Sequence, residues 1–178
     1  MTWTIIVLVV LALVLWSFYV SWRASRLDRL HNRVEAARTA LDLALVRRAA
    51  AAAELAASGL LDPAASLLLA DAVRRVRQVG PDERDLAESD LTRALRATLG
   101  DPDFRTEFAG EEGAAEVVAE VEDAAQRVFI ARKFYNDLAG RTADARRRPL
   151  VKVLHLYGSA KAPRFFDMDD AMAGEGIE

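Results

Sequence analysis

No charged side chain occurs among the first 22 residues, and Arg23, Arg26, Arg29 and Arg33 follow at once. A helix rises about 1.5 Å per residue, so a run of this length matches the roughly 30 Å hydrocarbon layer of a bilayer. Trp3 lies at one edge of the run, while Trp16, Phe18, Tyr19 and Trp22 crowd the other. Amphipathic rings favour the headgroup layer, so this distribution predicts a membrane-spanning helix over 1–22 rather than the buried helix of a water-soluble core.

A cleaved signal peptide would begin with a basic region and end its apolar stretch at small residues. Here no Lys or Arg precedes Arg23, and the exit reads Tyr19-Val20-Ser21-Trp22-Arg23, so an uncleaved anchor is expected. No Cys is present to carry a lipid, which also fits a reducing compartment. Seven Lys or Arg lie between Arg23 and Arg48, against Asp28, Glu35 and Asp42, and none precedes the span. Basic flanks stay on the cytoplasmic side, so the expectation is a single-pass protein of the cell membrane, N-terminus outside and body cytoplasmic.

The remainder suits one domain, rich in Ala, Leu, Arg, Glu and Asp and poor in Gly and Pro. Apolar positions step by three and four through Leu27, Leu30, Val34, Ala37, Leu41, Ala44, Ala51 and Leu55, with Arg48 interrupting. This is the seam of a long helix built to pack against another. It should end near Ser58, where Gly59 supplies a left-handed cap. Asp62-Pro63 should open a second helix to about Val79, burying Leu69, Ala72, Val73 and Val76. After the Gly80-Pro81 break, Asp82 should open a third helix through Leu91 and Leu95 to Leu99. Residues 101–113 read as a connector. The last long helix carries Val117, Val121, Ala124, Val128, Ala131, Tyr135, Leu138 and Thr142 and stops at Pro149.

The fold class is therefore all-α. The transmembrane helix continues into an antiparallel pair of long helices, with the two shorter ones packed on it as a hairpin, a three- to four-helix bundle over 23–148. Charge is segregated along the chain. Residues 82–123 hold fourteen Asp or Glu against four Arg, whereas 141–164 hold seven Lys or Arg against Asp144. In the antiparallel arrangement the end of the last helix carries Arg141, Arg146, Arg147 and Arg148 back to the level of Arg23, Arg26 and Arg29. Arg23, Arg26, Arg29, Arg146, Arg147 and Arg148 should then form a basic cluster facing lipid, each charge contributing on the order of 1 kcal/mol near anionic headgroups before screening. Residues 149–166, ending in Phe165-Phe166, form an amphipathic segment that either lies in the interface or folds back on the bundle. The acidic tail 167–178 is expected to lack structure.

Catalytic machinery is not visible. His31 and His155 are the only histidines, and neither belongs to the Glu-x-x-His pairs of a carboxylate-bridged metal site. Without Cys there is no thiolate or structural zinc, and the glycines fall at helix ends rather than in a phosphate loop. Ser and Thr lack a neighbouring base. The basic stretches lack interleaved aromatics, which argues against nucleic acid. We expect no catalytic residue, cofactor or metal.

Two stretches resemble the LemA family of bacterial membrane-anchored helical proteins. One is RLDRLHNRVEAARTALDLALVRRAA, residues 26–50, ending in the paired Arg47 and Arg48. The other is VEDAAQRVFIARKFYNDLAG followed by Pro149 and Phe165-Phe166, where Ala131, Arg132, Tyr135 and Asn136 match an ARxxYN-like motif. The chain departs from the family after the paired arginines, where an Ala-rich run and SGLLDPAASLLL stand instead of an apolar Pro-Asn-Leu element, which makes it a divergent member. The resemblance implies a membrane-tethered bundle without established catalysis. In the antiparallel pair, Arg132, Tyr135 and Asn136 should face Asn32 to Thr39, with Glu35 as partner to Arg132. These residues would form either a structural clasp fixing helix register or a small groove receiving a partner segment. The functional expectation is a non-catalytic scaffold or adaptor at the cytoplasmic membrane surface, with an unidentified protein partner and a possible homo-oligomer. The alternative is an anionic-lipid-binding, membrane-organising protein.

Overall fold

The computed structural model describes residues 2–100, 113–149, 151 and 162–170, excepting the side chains of residues 23, 24 and 27. The connector expected over 101–113 lies almost wholly outside them, as do most of 149–166 and the end of the tail. The described chain is all-α. Its principal helices are α1 (Thr2–Ala57), α2 (Pro63–Gln78), α3 (Arg84–Leu99) and α4 (Ala114–Arg147).

Local chemistry sets the helix ends. After α1, Gly59 adopts φ +78°, a left-handed conformation that costs a residue without Cβ little. Asp62 then accepts hydrogen bonds from the amides of Ala64 (2.8 Å) and Ala65 (3.1 Å). Pro63, which has no amide hydrogen to satisfy, fills the first turn of α2. The third helix begins two residues later than its sequence suggests. A turn closes first, with the Glu83 amide donating to the Gly80 carbonyl, so regular helix starts at Arg84 rather than Asp82.

The described residues fall into two compact units, and α1 and α4 each contribute to both. The first unit comprises residues up to Ala37 and Asn136–Phe165. Its α1 portion begins with Thr2–Trp22, the one described helix segment long and apolar enough to cross a membrane. No residue of its most apolar stretch is buried. Beyond it, the α4 portion lies antiparallel to α1, with Val34, Ala37, Leu138, Ala139 and Thr142 buried. The Arg146 guanidinium meets the His31 ring at 3.0 Å across this pair.

The second unit, Arg38–Tyr135 and the chain from Phe166, is a four-helix bundle. All four helices contribute to its core: Ala52 and Leu55 from α1, Leu69 and Val73 from α2, Leu91 and Leu95 from α3, Val121 and Ala124 from α4. Their spacing is the three-and-four step visible in the sequence, and Tyr135 extends the α4 stripe, 2% exposed. α2 and α3 form a hairpin, bridged by Arg75 and Asp90 at 3.3 Å.

One polar cluster interrupts this core. Arg48 is buried on the α1 seam and reaches α3, donating to Thr92 Oγ1 (2.9 Å), the Glu88 carbonyl (3.1 Å) and Glu88 Oε2 (2.7 Å). Glu88 is itself fully buried. Its second oxygen lies 3.8 Å from Arg84 Nε, and Arg84 also holds Asp42 at 3.0 Å. Burial pushes the Glu88 carboxyl above its usual range, while the Arg48 and Arg84 charges oppose that shift.

The tail differs from the expectation. Phe166 and Met168 are buried in the second unit, and the strand-like alternation turns Asp167 and Asp169 outward. The Asp167 amide donates to Asp85 Oδ2 (3.3 Å), the Asp169 amide to Ser89 Oγ (3.0 Å), and the Asp169 carboxylate accepts from Arg96 at 3.0 Å. Residues 167–170 are thus a packed strap rather than an unstructured tail, because two apolar anchors offset the cost of ordering it.

Two outcomes follow for the buried pair. Arg48→Ala leaves Glu88 as an uncompensated buried charge and should cost about 3–5 kcal/mol, whereas the double change Arg48→Met, Glu88→Met should recover most of that loss in denaturant titrations. A carboxyl raised in the folded state holds its proton more tightly than in the unfolded chain. Stability at this site is therefore greatest in acid and falls as pH rises from the ordinary carboxylate range through the folded value. Unfolding followed against pH should show that decline in the wild type relative to Glu88→Gln.

Candidate functional site

The charge pattern of the first unit converges on one open groove of about 670 Å³, beside the end of the apolar segment. The α1 wall carries Trp22, Arg26, Arg29, Leu30 and Arg33, and the opposite wall carries Arg141, Asp144, Ala145, Arg148 and Val151. The helical repeat explains this lining. Positions 26, 29 and 33 differ by three and four, so their side chains share one α1 face, while 141, 145 and 148 do the same on α4. Leu30 and Ala145 are half-buried and Val151 is buried, which gives the groove an apolar floor beneath charged walls.

Five arginines face a single lining carboxylate, Asp144. Among the described residues no carboxylate lies within ion-pair distance of Arg26, Arg29, Arg33 or Arg148. Arg141 bonds Asp137 one turn away at 2.9 Å, but both side chains are more than half exposed, a geometry that contributes little. Like charges brought together from two helices repel one another, by up to about 1 kcal/mol per pair at 4 Å in water and more where water is displaced. The groove thus stands ready for an anion, with guanidiniums able to donate in pairs to phosphate or carboxylate oxygens.

Of the six arginines expected to form the basic cluster, Arg26, Arg29 and Arg148 line this groove. Arg146 is engaged by His31, Arg147 is exposed outside the lining, and the Arg23 side chain lies outside the described residues. Arg141, expected at the level of the first arginines, lines the groove as well, and Arg33 joins it. Arg33 continues the three-and-four spacing of Arg26 and Arg29 on α1, and that spacing is the signal that puts it on their face.

The second set of candidate residues is arranged differently from the expected clasp. Arg132 is paired with Asp170 through Nε (2.8 Å) and Nη2, so the strap carboxylate replaces Glu35 as its partner. The cause is the anchoring of Phe166 and Met168, which brings Asp170 to α4. Tyr135 is a core residue of the second unit; Asn136 is half-buried and Glu35 exposed in the first. His155 lies outside the described residues.

No family model, curated protein or solved structure matches this chain.

If the arginines repel one another as the geometry requires, relieving one charge should not weaken the fold. Arg33→Gln is expected to leave stability unchanged or raise it by up to about 0.5 kcal/mol at low ionic strength, the gain fading by roughly 0.5 M salt. Thermal unfolding at two salt concentrations checks this.

Proposed function

We propose that this protein is a single-pass membrane protein whose body faces the cytoplasm and whose arginine groove binds the headgroups of anionic lipids. The convergence of five arginines at the end of an uncovered apolar helix segment carries this reading. A charge-free helix followed by basic residues favours that orientation, and guanidiniums kept out of the hydrocarbon come to rest where phosphates are densest. Trp22, half-exposed in the groove lining, suits the same depth. The body then acts as a non-catalytic element that organises lipid and is held upright by it. The likeness of its sequence motifs to the LemA family accords with a tethered bundle.

A scaffold or adaptor role is the second reading. It is favoured by large apolar side chains in solvent on the second unit: Leu43 and Val46 on one face of α1, and Ile130 and Phe134 one turn apart on α4, each more than half exposed. Paired exposed anchors at helical spacing are the form of surface that receives a partner helix. A protein partner would bind there without engaging the groove.

The lipid reading is tested with the full chain in nanodiscs, with Trp3 and Trp16 changed to Phe so that Trp22 reports alone. Brominated acyl chains on an anionic lipid should quench Trp22 more strongly than the same chains on phosphatidylcholine at equal mole fraction. Replacing Arg26, Arg29 and Arg148 by Gln should equalise the two. Equal quenching in the unmodified groove would count against the proposal.

A further inference from the structure

The buried polar cluster of the second unit leaves one carboxylate oxygen without a donor. Glu88 is fully buried, and its Oε2 accepts from Arg48 at 2.7 Å. Its Oε1 has no hydrogen-bond partner among the described residues, and Arg84 Nε stands 3.8 Å away, too far to donate. A buried acceptor in this position has lost its hydration uncompensated, and a donor from outside the chain would restore it.

Glu88 borders a cavity of about 420 Å³ enclosed by α1, the end of α2, the turn after it and the start of α3. The base of the cavity is Leu45, Ala49 and Glu88, all buried, while Ala50 and Arg77 are exposed at its mouth. Arg84, beside Oε1, lines the cavity, and Arg48, which holds Oε2, does not. The free oxygen is therefore the one on the cavity side. Ala49 and Ala50 present only methyl groups to the space, and Val76 and Val79 add apolar wall. Apolar walls around one convergent polar group are the makeup of small-molecule sites, whose volumes run from about 300 to 1,000 Å³. Because Glu88 is closed to solvent, a wall residue must shift for a ligand to reach it. Arg84 is free to do so: it makes no hydrogen bond to Oε1, and its tip is held at 3.0 Å by Asp42, a 40% exposed carboxylate whose grip contributes little.

Local charge decides the kind of donor. Arg48 and Arg84 both attend Glu88, and Arg77 at the mouth has no carboxylate within ion-pair distance among the described residues. An ammonium would add a further cation to this group. A hydroxyl adds none, and it suits either state of Glu88, whose carboxyl is raised by burial: it donates to the carboxylate and accepts from the protonated acid.

We propose that this cavity binds a small, largely apolar molecule of the phenol or alcohol class, its neutral hydroxyl hydrogen-bonded to Glu88 Oε1. The site shares no residue with the arginine groove and stands independently of the headgroup reading.

The full chain in phosphatidylcholine nanodiscs, with methyl-labelled valine, is titrated with 4-propylphenol, propylbenzene or 3-phenylpropylamine, each measured against its free aqueous concentration. The methyl resonances of Val76 and Val79 report occupancy, since partition into the bilayer does not place a ring beside them. The expected result is saturable shifts with 4-propylphenol, at an apparent affinity about tenfold or more above that of either other probe. Arg48→Met with Glu88→Met, which removes the acceptor and leaves neither member of the pair charged, should bring the phenol to the propylbenzene level. Ala50→Phe, which fills the mouth without touching the polar cluster, should abolish the shifts with every probe. No saturable shift with the phenol, equal affinity for phenol and hydrocarbon, or tighter binding of the amine overturns the proposal. So does a phenol preference that survives the loss of Glu88, or binding that persists in Ala50→Phe. Unfolding midpoints of both variants matching the parent exclude loss of the fold as the cause, and the comparison of the three probes on the wild type needs no variant.

Discussion

The constraint on which the rest depends is the abrupt change from a charge-free helix to arginine between Trp22 and Arg26. None of the residues from Thr2 to Trp22 is buried in the protein. Left in water they would expose a continuous apolar surface far larger than soluble proteins carry. The guanidiniums a few residues later are costly in hydrocarbon in their turn. Within the first unit, a polar boundary is thereby defined to within one or two helical turns. Because α4 lies antiparallel to α1 there, its own C-terminal arginines come to the same boundary. The groove is the product of two requirements: an apolar seam that pairs the helices, and a charge pattern that ends up on the face the seam does not use.

The second unit meets a different problem. Its core is built largely from Ala and Leu, which pack closely but give little to distinguish one helix register from another. Arg48, Glu88 and Thr92 introduce a directional contact into that core. Buried ion pairs contribute little net stability, since the desolvation of both charges consumes most of the Coulomb gain. Their value lies in the cost of alternatives: sliding α1 past α3 by one turn would strand both charges without partners. The strap adds a second positional contact, with Arg96 and Arg132 on α3 and α4 each holding one of its aspartates.

Much of this was legible in the residues, for physical reasons that can be named. The seam positions Val34, Ala37, Leu41, Ala44, Ala51 and Leu55 are all buried, because a period near 3.6 sustained over many turns admits one buried face. Asp62-Pro63 and Gly59 mark helix ends because their backbone requirements are local. What escaped was non-local. Arg48 was visible as an interruption of the seam, but nothing singles out Glu88 among the fourteen acidic residues of 82–123. The strap escaped because two alternating apolar positions, Phe166 and Met168, are too short a signal to outweigh acidic composition. Arg33 escaped the basic cluster because it lies a turn beyond the arginines next to the apolar segment, although it faces the same groove.

The arginine-bearing faces of α1 and α4 meet in one groove at the polar end of the apolar segment. The chain has no Cys, so spin labels can be placed at will. Labels at Asn32→Cys and Arg147→Cys, on exposed positions outside the groove lining, would report this pairing in the full chain reconstituted in bilayers by double electron–electron resonance. Antiparallel pairing of the two faces gives a single narrow population at the short limit of the method. A broad distribution, or one centred at long separation, would contradict it.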